Sequence, residues 1–189
     1  MTPAEPMTPA EPVRRPLLVL VGPPSSGKTT VGSAVAELLG VGFTDTDADI
    51  EDVTGQTVAD LFVQRGEEFF RSLEQQAVAR ALGAHGGVVA LGGGAVLSPA
   101  TRELLVGYGR SGGTVVWLDV DLASAAERVG LGRTRPVLGM NPRATLRALL
   151  VARAPLYEEV ATLTVPTGGR EPGDVIADVA AALRSRTAR

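Results

Sequence analysis

Short runs of consecutive apolar residues alternate with amphipathic stretches along most of the chain. LLVLV (17–21), VGF (41–43), GVVAL (87–91), TVVWLDV (114–120) and ATLTV (161–165) are continuous rather than in–out alternating. That is the pattern of strands buried on both faces. Helical patterns fill the gaps, at 29–39 closed by Gly40, then 67–82, 99–106, 122–129, 142–154 and 174–184. In the last, Val175, Ile176, Val179 and Leu183 fall on one face. Asn141 before Pro142 makes an N-cap and first-turn pair. This alternation predicts an α/β fold, a three-layer α/β/α arrangement around a five-stranded parallel sheet. Ligands of such sheets bind beyond the carboxyl ends of the strands, so the loops there carry the functional reading.

Composition narrows the picture. A chain of 189 residues with 44% hydrophobic and 21% charged side chains suits one soluble globular domain. The hexapeptide MTPAEP occurs at 1–6 and again at 7–12. Its proline and small residues predict a disordered tail over 1–14, with Met7 an alternative start and 15–189 a single domain. The net charge of −3 gives no reason to expect nucleic acid or an anionic membrane as partner. LLVLV is far shorter than the ~20 residues of a membrane helix, and no basic-then-apolar leader precedes it. Cysteine is absent, which fits a reducing cytoplasm. Among 18 basic residues only Lys28 is a lysine. A coding bias of the high-GC bacterial kind disfavours lysine, so the one exception draws attention.

Lys28 lies in GPPSSGKTT (22–30), which follows the first strand and runs into the first helix. It matches G-x-x-x-x-G-K-[ST], a loop whose backbone N–H groups close on phosphate oxygens. Gly22, Pro23, Pro24, Ser25, Ser26, Gly27, Lys28, Thr29 and Thr30 therefore form the expected ATP-phosphate site. Lys28 reaches the β- and γ-phosphates, and the Thr29 hydroxyl can ligate Mg²⁺. An ordinary glycine turn would not need strand, helix and lysine in this order.

The second strand ends in FTDTDADIED (43–52), with Asp45, Asp47 and Asp49 two apart. A calcium loop from Asp45 would need Gly at its sixth position and Glu at its twelfth, where Ile50 and Gln56 stand. Side chains two apart in extended chain share a face, so Asp45 and Asp47 are expected to point together into the strand-end cleft. A Mg²⁺–ATP site needs a nearby carboxylate, and the phosphate loop supplies none. Asp49, ahead of IEDV, reads as a helix N-cap.

The motifs GPPSSGKTT, DTDADIE, GEEFFRSLE, LGGGAVLS, RTRPVL and RAPLYEEVA, in this order, give the chain a shape that resembles shikimate kinase from about residue 15 to 182. The resemblance implies a P-loop kinase fold like that of nucleoside monophosphate kinases, with substrate-binding helices and a lid. It also implies ATP-dependent phosphorylation of the 3-hydroxyl of shikimate, a step toward chorismate and the aromatic amino acids. Asp45 would then assist Mg²⁺, and Asp47 would hold the acceptor hydroxyls and receive a proton. Arg71 and Arg153 would clamp the carboxylate, and Gly92, Gly93 and Gly94 would offer backbone donors. A planar guanidinium fork is the natural partner of a carboxylate. The residues alone leave Arg71 equally readable as a surface helix arginine, and Arg153 as a charge at a helix end. An aspartate at its ordinary pKa near ~3.9 would orient the hydroxyl more than deprotonate it.

Residues 130–140 carry Arg133 and Arg135 between two helices. They read either as a linker or as a lid that brings Arg135 to the transferring phosphoryl; the resemblance assigns the role to Arg135. By the same resemblance adenine lies between Arg128 and Pro172, with Arg170 in the same loop. Two departures stand out: Pro166 where Asp is usual, and Ser25 where glycine is common. The rival readings are another small-molecule kinase, such as a gluconate kinase, and a non-catalytic nucleotide-binding module. The expected species is a cytoplasmic monomer whose partners are ATP, shikimate and Mg²⁺.

Overall fold

The computed structural model describes residues 15–130 and 142–187. Five short strands, β1 (Leu18–Val21), β2 (Phe43–Asp45), β3 (Val88–Ala90), β4 (Val115–Asp119) and β5 (Leu163–Pro166), pair in the order β2-β3-β1-β4-β5. Every pairing is parallel, as the continuous apolar runs require.

Alternate residues of each strand feed opposite layers. Val19 and Val21 pack with Val78, Val89, Leu105, Val115 and Tyr157 on one face. Leu18 and Leu20 pack with Val31, Val35, Val116, Val179 and Leu183 on the other. The first face is covered by α4 (Glu67–Ala84), α5 (Pro99–Arg110) and α7 (Pro142–Val160), the second by α1 (Lys28–Leu39) and α8 (Pro172–Thr187). β1 and β3 lie side by side, yet β1 leads through α1 to β2 while β3 leads through α5 to β4. The connections diverge between them and open a cleft beyond their carboxyl ends.

Two helices have no counterpart in the apolar pattern. α2 (Thr46–Thr54) and α3 (Val58–Arg65) are short and mostly polar. Of their apolar side chains only Ile50 and Leu61 are fully buried, against Phe70 and Ala77 of α4, in a third cluster that includes Phe62 and Phe69. Such brief segments hold their shape through this packing rather than through propensity. α6 (Leu122–Arg128) is short but well capped: Asp121 accepts from the N–H groups of Ala123 and Ser124, both at 2.9 Å.

α7 continues past Pro155, where a stop is expected. Proline at 155 removes the hydrogen bond to the carbonyl of Val151. Val151 is 66% exposed, so water can satisfy that carbonyl and the helix carries on to Val160. Asn141 and residues 131–140, which make up most of the lid expected over 130–140, fall outside the described residues, as does the expected tail over 1–14.

Candidate active site

The loop between β1 and α1 folds as the glycine–lysine motif requires. Gly27 sits at φ 95°, a left-handed position immediately before the first turn of α1. Ser25 also has positive φ, at 64°, which explains why glycine is the easier residue there. Lys28 Nζ donates to the carbonyls of Gly22 and Pro23 at 2.9 and 3.0 Å, leaving one of its three N–H bonds for a ligand. Burial lowers its pKa to about 8, with Asp45 and Asp47 opposing the shift. An anion placed in the loop would restore the charge.

Thr29 Oγ1 donates to Asp45 Oδ2 at 2.8 Å. The other oxygen of Asp45 accepts the Asp47 N–H at 3.0 Å and so caps α2. This overturns two expectations. β2 passes into α2 without a loop, so Asp45 is the N-cap and Asp49 is not. The Asp49 carboxylate instead accepts the Thr44 hydroxyl at 2.7 Å from within the first turn. Asp45 and Asp47 also do not share the face of a strand, because Asp47 already belongs to the helix. The helix turn still keeps both beside the phosphate loop, as their influence on Lys28 shows.

Asp47 is the most perturbed carboxylate of the cleft. Burial, then the charges of Asp45 and Glu74, raise its pKa to about 6, while Lys28 pulls the other way. Its Oδ1 is buried and accepts no hydrogen bond. A buried carboxylate oxygen without a protein donor suits a site that receives a hydroxyl.

The glycine run after β3 is where these parts converge. A Cβ on Gly92 would overlap Asp47 and Glu74; one on Gly94 would overlap the Arg71 guanidinium; one on Gly93 would lie 2.9 Å from the Pro24 ring. Glycine here permits close approach of backbone to charged side chains on one side and to the phosphate loop on the other. The Gly92 N–H donates to the buried Thr46 hydroxyl at 3.0 Å. Arg71 is paired with Glu74 at 2.6 Å and with Glu67 at 3.1 Å. Burial works against its charge, but these two carboxylates outweigh it and raise its pKa. Glu74 is itself buried, and burial raises its pKa despite Arg71. From α7, Arg153 donates to the Gly93 carbonyl at 3.0 Å.

A separate cavity of about 260 Å³ opens on the far side of the phosphate loop, lined by Ser26, Thr30, Arg128, Thr167, Arg170 and Pro172 among others. Arg128 is fixed across its mouth by the carbonyls of Ser25 at 3.2 Å and Thr167 at 2.6 Å. Arg170 bonds the Pro166 carbonyl at 3.1 Å and Asp178 at 2.8 Å.

The family model described as shikimate kinase matches residues 24–184. The chain belongs to the shikimate kinase family. A shikimate kinase of Salinispora arenicola is 55% identical over 168 residues, which is 89% of this chain and 98% of that one. One of Salinispora tropica is 56% identical over 170 residues, 90% of this chain and 99% of its own. Among solved structures, a shikimate kinase from Acinetobacter baumannii in complex with shikimate is 36% identical, with a TM-score of 0.82 over 93% of this chain and 96% of that one.

Within this shikimate kinase frame, the structure gathers the residues singled out in the sequence into two neighbouring groups. Lys28, Thr29, Asp45, Asp47, Arg71, Arg153 and Gly92–Gly94 surround the cleft, while Arg128, Arg170 and Pro172 line the outer cavity. Arg135 and Arg133 fall outside the described residues. Glu74, Thr46 and Tyr157 also meet the cleft without being singled out by the sequence pattern. Glu74 stands three residues after Arg71, and Tyr157 four after Arg153. Both spacings put a polar partner on the same helix face, so the signal was present in the motifs themselves. Thr46 left no such signal.

Proposed function

We propose that the chain transfers the γ-phosphoryl group of ATP to the 3-hydroxyl of shikimate, releasing ADP and shikimate 3-phosphate. The observation that carries this reading is the meeting of two half-sites: Gly92–Gly94 touch Asp47, Arg71 and Arg153 on one side and Pro24 of the phosphate loop on the other, and the Asp47 N–H bonds Asp45, which holds Thr29. Nucleotide phosphates occupy the loop 22–30, and adenine fills the cavity beside Arg128 and Pro172, where the guanidinium can stack on the base. Shikimate's carboxylate takes the guanidinium groups of Arg71 and Arg153, and its hydroxyls face Asp47.

Mg²⁺ fits the oxygen donors present. Among the described residues no group of three or more acidic or histidine side chains could hold a metal alone. A cation that keeps its waters and binds through phosphate oxygens needs only one or two protein oxygens. The Thr29 hydroxyl spends its proton on Asp45 and keeps its lone pairs for the cation; Asp45 would reach it through water. When bound, Mg²⁺ neutralises charge on the β- and γ-phosphates.

The remaining chemistry belongs to side chains. Phosphoryl transfer passes through a loose transition state that asks mainly for positioning and charge neutralisation. With its pKa raised to about 6, Asp47 is still ionised at neutral pH yet basic enough to take the hydroxyl proton as the bond to phosphorus forms. That is a more active part than an unperturbed aspartate could play. Lys28 neutralises the transferring group. Arg135, by its place in the lid sequence, would add a second cation there.

An assay of ADP release with shikimate, gluconate and no acceptor, run in parallel, tests the reading. Release that depends on shikimate is expected. Release with gluconate alone would favour the rival small-molecule kinase. Equal release without acceptor would overturn the assignment of the acceptor site.

A further inference from the structure

We propose that Tyr157 is a positioning residue of the acceptor site: its hydroxyl, with Arg153, fixes the carbonyl of Gly93 so that the glycine run presents its free N–H groups to an anionic acceptor. This rests on the reading above that Arg153 and Gly92–Gly94 hold the shikimate carboxylate.

Tyr157 Oη donates to the Gly93 carbonyl at 2.7 Å, and Arg153 donates to the same oxygen at 3.0 Å. The two side chains stand four apart on α7 and share one face. A carbonyl oxygen has two lone pairs, and both are filled by donors on one rigid helix. The Gly93 carbonyl and the Gly94 N–H belong to one trans peptide unit, so they point in opposite directions. The Gly92 carbonyl is likewise taken by the Ala95 N–H at 3.0 Å, which sets the direction of the Gly93 N–H. Neither the Gly93 nor the Gly94 N–H has a partner among the described residues. Two successive unpaired N–H groups, beside Arg71 and Asp47, make a concavity suited to a carboxylate.

Tyr157 is well held for this work. It is 1% exposed, and its ring stacks on Trp117 with centroids 5.9 Å apart. Burial pushes its phenol up to about 12, so the hydroxyl is a donor throughout the working pH range. Its hydroxyl donates to the Gly93 carbonyl at 2.7 Å, while a cavity of about 310 Å³ lined by Pro23, Trp117, Asp119 and Arg147 among others also borders it. Arg153 alone could not do the same job, because its guanidinium is also needed on the substrate. When it swings toward a carboxylate, Tyr157 keeps the loop in register.

Tyr157→Phe keeps the ring and the Trp117 stack and removes only the donor. The expected result is a shikimate KM raised about five- to tenfold, the size of one lost hydrogen bond to a buried carbonyl. The ATP KM should stay within about twofold. Trp117, the only tryptophan, gives an independent reading, because shikimate titrated against its emission should show the same loss of affinity. Mg·ADP titrated in the same way should show none. Amide hydrogen exchange should accelerate in residues 92–97 more than elsewhere, a readout that holds even if the variant is less stable overall. An unchanged shikimate KM, a parallel rise in both KM values, or exchange that accelerates with no excess at 92–97 would overturn the proposal. If wild-type protein itself fails to bind shikimate, the assignment of the acceptor site falls instead.

Discussion

Replacing Asp47 by Asn separates stability from activity at one atom. The carboxyl titrates at 3.8 in an exposed chain and at about 6 in the fold, because burial and the neighbouring charges of Asp45 and Glu74 disfavour its ionised form. Each unit is worth about 1.36 kcal/mol, so two units set an upper value of about 3 kcal/mol. The side chain keeps some contact with water, which reduces this to about 1–2 kcal/mol. Asparagine has the same shape without the charge, so the variant should be more stable than wild type at pH 8. For a chain of this size that is about 3–6 °C in Tm, measured without nucleotide or Mg²⁺. The gap must depend on pH in one direction. Between pH 4 and 6 the unfolded chain has released a proton that the native chain still holds, so wild-type stability falls as pH rises through this window. The advantage of Asp47→Asn should therefore be small near pH 4, grow to pH 6 and be constant above it. Turnover should fall about 100-fold or more, and the wild-type acid limb near pH 6 in kcat/KM should vanish. A pH-independent Tm gap would refute the electrostatic account of Asp47, and turnover within threefold of wild type would refute its role.

Other substitutions probe the remaining parts. Arg71→Lys should raise the shikimate KM about tenfold with the ATP KM unchanged, since an ammonium cannot replace a fork and leaves Glu74 poorly matched; a rise confined to ATP would contradict the map. Gly94→Ala should cost most of the shikimate affinity, because the new methyl group would displace the Arg71 guanidinium, and titration calorimetry would read it. Ser25→Gly should leave the ATP KM within twofold and stabilise the fold by about 0.5 kcal/mol, since glycine accepts φ 64° without the side-chain clash. A loss of stability on thermal melting would show that the serine is not strained.

How much of this could be read from residues alone depends on the kind of signal. The strands were legible because a parallel sheet buries both faces and leaves continuous apolar runs. α2 and α3 were not, because they carry few apolar positions and exist by packing on Phe70 and Ala77. The phosphate loop was legible because its glycines and lysine answer to one ligand geometry. Asp45 and Asp47 were legible as a pair, but their backbone was not: spacing of two reads as strand, whereas the chain turns into a helix at Asp45, whose carboxylate caps it. Asp49 mimicked a cap only because the true one lies earlier. The raised pKa of Asp47 could not be read at all, since it depends first on burial, then on Asp45 and on Glu74, which is remote in sequence and brought near by folding.

The claim that a donor and an acceptor site meet around Asp47 is tested most directly by the product itself. Wild-type protein given Mg·ATP and shikimate should yield one phosphate monoester whose phosphorus couples, by ³¹P–¹H correlation, to the proton on carbon 3. Phosphate on another hydroxyl, or inorganic phosphate with shikimate unchanged, would contradict the account.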